Sequence, residues 1–273
     1  MALKVLIVGG GLAGSIPAAA LKKAGVEFEL FDDNQEYGAS RASENLFSKN
    51  WGKTLGNAVT VSGISVLERL YKTQTIPFNT GKHINHVLHI PACETVWKTP
   101  TRKRVVKVSD GFVVTEDGEE YRGVVLVAAG VWSRNLLPQM KSLTCLSGHG
   151  LIFKGTLTKE PLMDFWAPYR HRKIFQRAPG EISFGDTTCI SEKNYDPKTH
   201  VAASIKRAND AGLDPKNLLK ILYGHRPYYP AQKKGFYSKL SEKLYVSTSG
   251  WNFGLVIYAH QTERFMKDIG VWS

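Results

Sequence analysis

Residues 4–14 read KVLIVGGGLAG, so a short apolar run is followed by Gly9-x-Gly11-x-x-Gly14. Glycines at this spacing, between a strand and a helix, are what is needed to bring main chain against a pyrophosphate. Gly9 permits the tight turn, Gly11 allows close approach to the phosphates, and Gly14 lets the helix pack on the strand. Leu12 and Ala13 open that helix, whose unpaired N–H groups and positive dipole end favour an anion. A second apolar run, Glu27 to Phe31, ends at Asp32, 18 positions after Gly14. That is near the ~20-residue spacing of an acid that hydrogen-bonds a ribose hydroxyl. Asp33 is the lesser candidate. Pro17 falls inside the expected helix, where it removes one hydrogen bond and predicts a local kink.

Other residue clusters carry less. His83, His86 and His89 in HINHVLH are spaced by three. On a strand His86 faces away from the other two, and no acid cluster accompanies them, so no metal is assigned. Cys93, Cys145 and Cys189 are few, scattered and odd in number. That argues against a disulfide framework and for a reducing compartment, the cytoplasm. The apolar N-terminal run is interrupted by glycines and by Lys22-Lys23, so neither a membrane span nor a signal peptide is expected.

The elements that must position these residues follow from the pattern along 273 residues, of which 42% are hydrophobic. After the first strand–helix–strand unit comes the small and polar loop EYGASRASENLF, then a helix near Ser62 to Tyr71. RVVKV, FVVTEDGEEYRG and VVLVAAG read as a β-meander returning to a parallel sheet. LIFKGTL, KIFQRA and EISFG read as further strands. Helices are expected from Pro197 to Ala211 and after Asp214-Pro215, each with proline at the first helical position. KLYVSTSG reads as a last strand before a terminal helix near Tyr258 to Ile269. The net charge is +12, with 17 Lys and Arg against 9 Asp and Glu in residues 151–248. Such a surface attracts polyanions, nucleic acid above all. Arg170, Arg172, Lys173, Lys233 and Lys234 are the candidate phosphate contacts.

VVLVAAGVWS at 124–133, STSGWNFGL at 247–255, FQRAPGEISFGDT at 175–187 and GHRP at 224–227 are four further signals. With the first loop and GASRASENLF, they resemble the FAD-dependent oxidoreductases of the D-amino-acid oxidase, glycine oxidase and sarcosine oxidase family. The resemblance spans most of the chain and implies an α/β fold: an FAD-binding Rossmann-like (GR2-type) domain with an inserted α+β substrate domain. The cofactor domain is expected over 1–148 and 245–273, with a substrate-side segment at about 72–98, and the substrate domain over 149–244. Carried over to this sequence, the resemblance implies that Gly9, Gly11 and Gly14 hold the pyrophosphate and Asp32 the ribose. Ala39, Ser40, Ala42, Ser43 and Asn45 line the flavin, Val106 offers its backbone to the adenine, and Ala129, Gly130 and Trp132 close the site. Gly250, Asn252, Phe253 and Gly254 belong to a loop that presents backbone N–H groups to the N1–C2=O end of the ring.

Arg226 matches the family's substrate-carboxylate arginine, whose planar fork makes two parallel hydrogen bonds. Tyr228, Tyr229 and Trp251 are candidate pocket walls. The implied chemistry is oxidative cleavage of a C–N bond in an amine or amino-acid-like substrate. One relative, the FAD domain of a tRNA-modifying enzyme, acts on a carboxymethyl group attached to wobble uridine. The basic segment, a chain that is short for the family and a retained arginine then point to a glycine-like group on a nucleobase of DNA or RNA. It would be cleaved to an aminomethyl base and glyoxylate. The alternatives are an oxidase of free glycine, sarcosine or a D-amino acid, and a non-catalytic flavin- or nucleic-acid-binding protein.

Overall fold

The computed structural model describes residues 3–34, 38–40, 42–47, 55–79, 84–90, 100–166, 170–186, 190–230, 235–250 and 254–273. The chain opens with β1 (Lys4–Val8), α1 (Leu12–Lys23) and β2 (Glu27–Phe31). β1 is apolar and buried, and it pairs in parallel with β2 from Lys4↔Glu27 to Val8↔Phe31. Gly9 leaves the strand at φ +109°, a conformation that a side chain disfavours. α1 runs through Pro17 as one helix, and the proline is buried, as are Ile16, Ala18 and Ala20.

Next come β3 (Leu46–Phe47), α2 (Asn57–Leu70), β4 (Gln74–Asn79) and β5 (Ile84–His89). β6 (Val105–Ser109), β7 (Phe112–Thr115) and β8 (Glu120–Arg122) form a three-stranded meander, turned at Asp110-Gly111. β9 (Val124–Val127) then returns in parallel beside β1, followed by the short α3 (Ser133–Leu136). The second half holds β10 (Thr144–Lys154), β11 (Leu162–Trp166), β12 (Arg170–Ala178), β13 (Glu181–Asp186), β14 (Ile190–Ser191), α4 (Pro197–Asp210) and β15 (Leu218–Tyr228). β16 (Phe236–Ser241), β17 (Leu244–Thr248) and α5 (Gly254–Asp268) complete it.

Two large sheets result among the described residues. The five-stranded sheet has the order β16-β17-β9-β1-β2, with α1, α2 and α5 packed on one face around Ile16, Leu21, Leu67 and Phe265. The nine-stranded sheet runs β14-β10-β13-β12-β11-β4-β5-β3, with β15 on β10. Its α4 face is closed by Leu151, Phe153, Phe184, Val201 and Ala208. β16, which the sequence groups with residues 149–244, pairs antiparallel with β17 and so lies in the five-stranded sheet.

Asp196 accepts the N–H groups of Lys198 and Thr199 and caps α4, with Pro197 at its first position. The same signature at Asp214-Pro215 yields only a 3₁₀ turn over Pro215–Asn217. The helix expected there is instead β15, which pairs with β10 from Thr144↔Tyr228 to Phe153↔Leu218. An eleven-residue strand against an eleven-residue strand satisfies the backbone groups that a helix would have paired internally.

The tightest junction is α1 on β1: a Cβ at Gly14 would lie 1.9 Å from the Gly9 carbonyl oxygen. Gly14→Ala should therefore destabilise the protein by at least about 2 kcal/mol, since the obstacle is main chain and not a movable side chain. A urea-unfolding midpoint unchanged from wild type would show that α1 can step away from β1.

Candidate functional site

The glycine loop and its partners converge as the spacing predicts. Gly9 N–H donates to Phe31 O at 2.8 Å, and the first helical N–H, that of Leu12, donates to Ser40 Oγ at 2.7 Å. A Cβ on Gly11 would stand 2.8 Å from Ser40 Oγ, and one on Gly10 would stand 2.2 Å from Asp32 Oδ2. The hydroxyl and the carboxylate thus reach the loop only because those positions carry no side chain. Asp32 is half-buried and accepts the Asn34 N–H at 2.7 Å, whereas Asp33 is exposed. This donor set fits a dinucleotide: helix N–H groups and a hydroxyl for phosphate, and a carboxylate for ribose.

Three more loops close around it. Gly9 stands against the Ala128-Ala129 main chain, since a Cβ there would lie 2.5 Å from Ala128 O and 2.8 Å from Ala129 Cα. Gly130, at φ +58°, starts the 3₁₀ turn Gly130–Trp132, and its carbonyl accepts Thr248 Oγ1–H at 3.2 Å. Ser43 N–H donates to Ser40 O, and Asn45, buried at φ +49°, donates its N–H to Ser43 Oγ. Gly250 N–H donates to the Tyr258 hydroxyl at 3.0 Å, and Gly254 begins α5. Val106 sits at a β-bulge between Val105 and Lys107, half-exposed. Trp251, Asn252 and Phe253 lie outside the described residues.

The strand that carries Arg226 is pressed onto the same loops. Gly38 bridges to His225, and a Cβ on Gly224 would stand 3.1 Å from both Ala39 Cα and Ala42 Cβ. Side chains alternate along a strand, so Arg226 and Tyr228 share the face of Gly224. Gly148 lies opposite Gly224, and Gly150 has open space where its Cβ would be. The space over Gly224 is thus filled by Ala39 and Ala42, and the open space lies farther along the same face at Gly150.

The opposite face is polar and closed. His225 Nδ1 meets Ser147 Oγ at 2.9 Å, and buried His149 lies between Tyr195 Oη and Ser204 Oγ, each at 2.8 Å. Ser204 donates to Asp186 Oδ2 at 3.0 Å, so its oxygen accepts from His149 Nε2–H and Nδ1 accepts from Tyr195. Arg207 completes the network through an ion pair with Asp186. Burial lowers His149 from its ordinary 6.5 to about 4, with Asp186 opposing and Arg207 and Arg226 reinforcing the shift. His149 is thus neutral, with both ring nitrogens satisfied.

The candidate phosphate contacts are less uniform. Lys173 Nζ lies 2.7 Å from Glu44 Oε2, so its charge is met inside the protein. Glu44 also accepts from Ser183 at 3.4 Å and fills the space over Gly185. Arg172 is half-buried in register with Asp164 and Asp186. The Arg170 side chain and Lys233 and Lys234 lie outside the described residues, as do His83 and the His86 side chain. His89 is buried with its ring edge-on to Phe175, and burial lowers its pKa. No metal-ligating cluster occurs among the described residues, and no described helix is long and apolar enough to cross a membrane.

A family model described as an NAD(P)-binding Rossmann-like domain matches residues 7–63. No curated protein gives a significant sequence match. Among solved structures, glycine oxidase from Bacillus cereus superposes with a TM-score of 0.73 at 15% identity, covering 98% of each chain. Iminodiacetate oxidase from Chelativorans sp. BNC1 gives 0.71 at 13% identity, over 98% of this chain and 96% of that one. An FAD-dependent oxidoreductase from Pseudomonas aeruginosa gives 0.67 at 14% identity, over 99% and 92%. The chain shares the fold of these enzymes along essentially its whole length.

A buried neutral imidazole makes stability depend on pH with a definite sign. Between about 4 and 6.5 the unfolded chain binds the proton that folded His149 refuses, so stability is full above 6.5 and is lost as pH falls toward 4. His225 and His260, also lowered by burial, add to the same trend. His149→Gln should flatten the fall in unfolding midpoint across this window. An unchanged slope would remove His149 as its main source.

Proposed function

We propose that this protein is an FAD-dependent oxidoreductase that dehydrogenates the C–N bond of a small amino-acid-like amine. The observation that carries the reading is the packing of Gly224 on Ala39 and Ala42, which sets the Arg226 strand against the dinucleotide loop. The sheet holding β1, β2 and β9 serves as the cofactor-binding unit, and the sheet holding β10 and β15 faces the substrate.

Gly9, Gly11, Gly14 and the α1 N-terminus would hold the pyrophosphate, together with Ser40, while Asp32 takes the ribose. When bound, FAD supplies the acceptor for the hydride that leaves the carbon beside the amine. Arg226 binds the substrate carboxylate through its fork and so fixes that carbon's direction. Farther along the same face of the strand pair, the space over Gly150 is open. The N-terminus of α5, which begins at Gly254, would favour negative charge on a bound cofactor. An amine that binds uncharged needs no protein base, and none is assigned. The imine product hydrolyses to an oxo acid and a free amine.

A glycine-like group on a nucleobase is the finer form of this substrate, favoured by the charge of residues 151–248. Neutralisation of Lys173 by Glu44 weakens it, and the free small amine is the form we put forward. Purified protein loaded with FAD should be incubated with glycine, sarcosine, iminodiacetate and D-amino acids, and separately with modified RNA and DNA. Mass spectrometry then identifies what changes. Conversion of a free amine supports the reading, conversion of the nucleic acid alone selects the finer form, and failure to take up FAD overturns both.

Arg226→Lys should lower kcat/KM roughly a hundredfold while FAD content stays at the wild-type level, because a point charge replaces a two-pronged contact worth about 2 to 3 kcal/mol. Steady-state kinetics beside released-flavin quantitation read both. Wild-type kcat/KM in the variant would return Arg226 to a structural role.

A further inference from the structure

Three consecutive residues at the end of β17 each bind a different part of the site. Thr248 Oγ1 donates to Gly130 O at 3.2 Å, on the loop that closes against Gly9. Ser249 Oγ accepts the Tyr229 N–H at 2.8 Å, immediately after β15 and three residues past Arg226. Gly250 N–H donates to Tyr258 Oη at 3.0 Å, on α5. All three residues are buried, and burial also pushes the Tyr258 hydroxyl up to about 12, so it stays protonated.

Ser249 is the unusual member. It holds φ +64°, a left-handed conformation that glycine adopts without strain and serine does not. Glycine would suit that backbone better, but it would offer no acceptor for Tyr229. Gly224 and Gly38 already tie the upstream part of the strand to the dinucleotide loop. Beyond Tyr228 the β10 ladder has ended, since Thr144↔Tyr228 is its last pair. There the Tyr229 ring packs on Phe236 of β16 at 5.1 Å, and Ser249 supplies the hydrogen bond that holds the Tyr229 main chain to the five-stranded sheet.

We propose that Ser249 is a positioning residue that locks the Arg226 strand to the cofactor loop, so that carboxylate and cofactor are held in one register. This rests on the function proposed above. The left-handed strain is retained because the hydroxyl, and not the backbone shape, is what the site uses. Arg226 would still bind a carboxylate without it, but over a wider range of positions, which raises KM and slows the hydride step together.

The test compares wild type with Ser249→Ala and Ser249→Gly. The alanine variant keeps the strain and loses the acceptor, whereas the glycine variant loses both. Hydrogen–deuterium exchange is followed at the peptide carrying the Tyr229 amide, with and without FAD, alongside thermal midpoints and the kinetics of amine oxidation. The proposal expects faster exchange at Tyr229 in both variants, a glycine variant at least as heat-stable as the alanine one, and kcat/KM lowered about tenfold in both with FAD content unchanged. Unaltered Tyr229 exchange, or wild-type kcat/KM in Ser249→Gly, would overturn it. If no variant, wild type included, oxidises any amine, the proposed function fails, and the exchange difference still decides whether Ser249 holds the strand.

Discussion

The close approach of β15 to the loop after β2 is the constraint on which the rest of the site depends. The two sheets have separate apolar cores, one around α1, α2 and α5 and one beneath α4. What joins them at the site is main chain against small side chains: Gly224 on Ala39 and Ala42, and Gly38 bridged to His225. Larger residues at any of these places would part the sheets by the width of a side chain. Arg226, two residues on from Gly224, would then be parted from the loop after β2. Small residues here set a distance, and that distance is what makes one site out of two units.

Polarity is divided across the same strand pair. On the α4 face His149, Ser204, Asp186 and Arg207 satisfy one another, and His225 is held by Ser147. A fully satisfied buried network of this kind fixes the strands that carry it. On the other face lie Gly148, Gly150, Gly224 and Arg226, with Gly224 packed on Ala39 and Ala42. The contrast follows from the two-residue period of the strand: every His of GHG and GHR points one way and every Gly the other. Charge in the neighbouring strands is handled similarly, with Glu44 from the cofactor loop meeting Lys173 from β12.

Much of this was legible in the residues, and the exceptions have physical causes. The Rossmann unit was readable because glycine spacing, strand and acid are all local, and α4 because Asp196-Pro197 is a local cap. Asp214-Pro215 carries the same cap yet leads into β15, because an apolar run with leucines does not state whether it will pair with itself or with β10. The choice belongs to a partner some seventy residues away in sequence. β16 was assigned to the wrong side of a boundary for the same reason, since its neighbour β17 decides its sheet. Asp32 was singled out by its spacing and Ser40 by the family resemblance, and both lie against the glycine loop. Glu44 and the triple anchorage at 248–250 were not singled out, because each is a relation between distant residues with no sequence signature of its own. Lys173 looked like a surface cation because its partner lies 129 positions away.

The proposed role of Arg226 is to present a carboxylate-bearing amine to a flavin held on the Gly9–Gly14 loop. Its most direct test is an anaerobic mixture of FAD-loaded protein with glycine, sarcosine or iminodiacetate, followed through the long-wavelength flavin absorbance. At least one of them should bleach the band in wild type, and Arg226→Lys with full FAD content should bleach far more slowly. Protein that binds FAD and keeps its colour with every amine, or an Arg226→Lys variant that bleaches as fast as wild type, would contradict it.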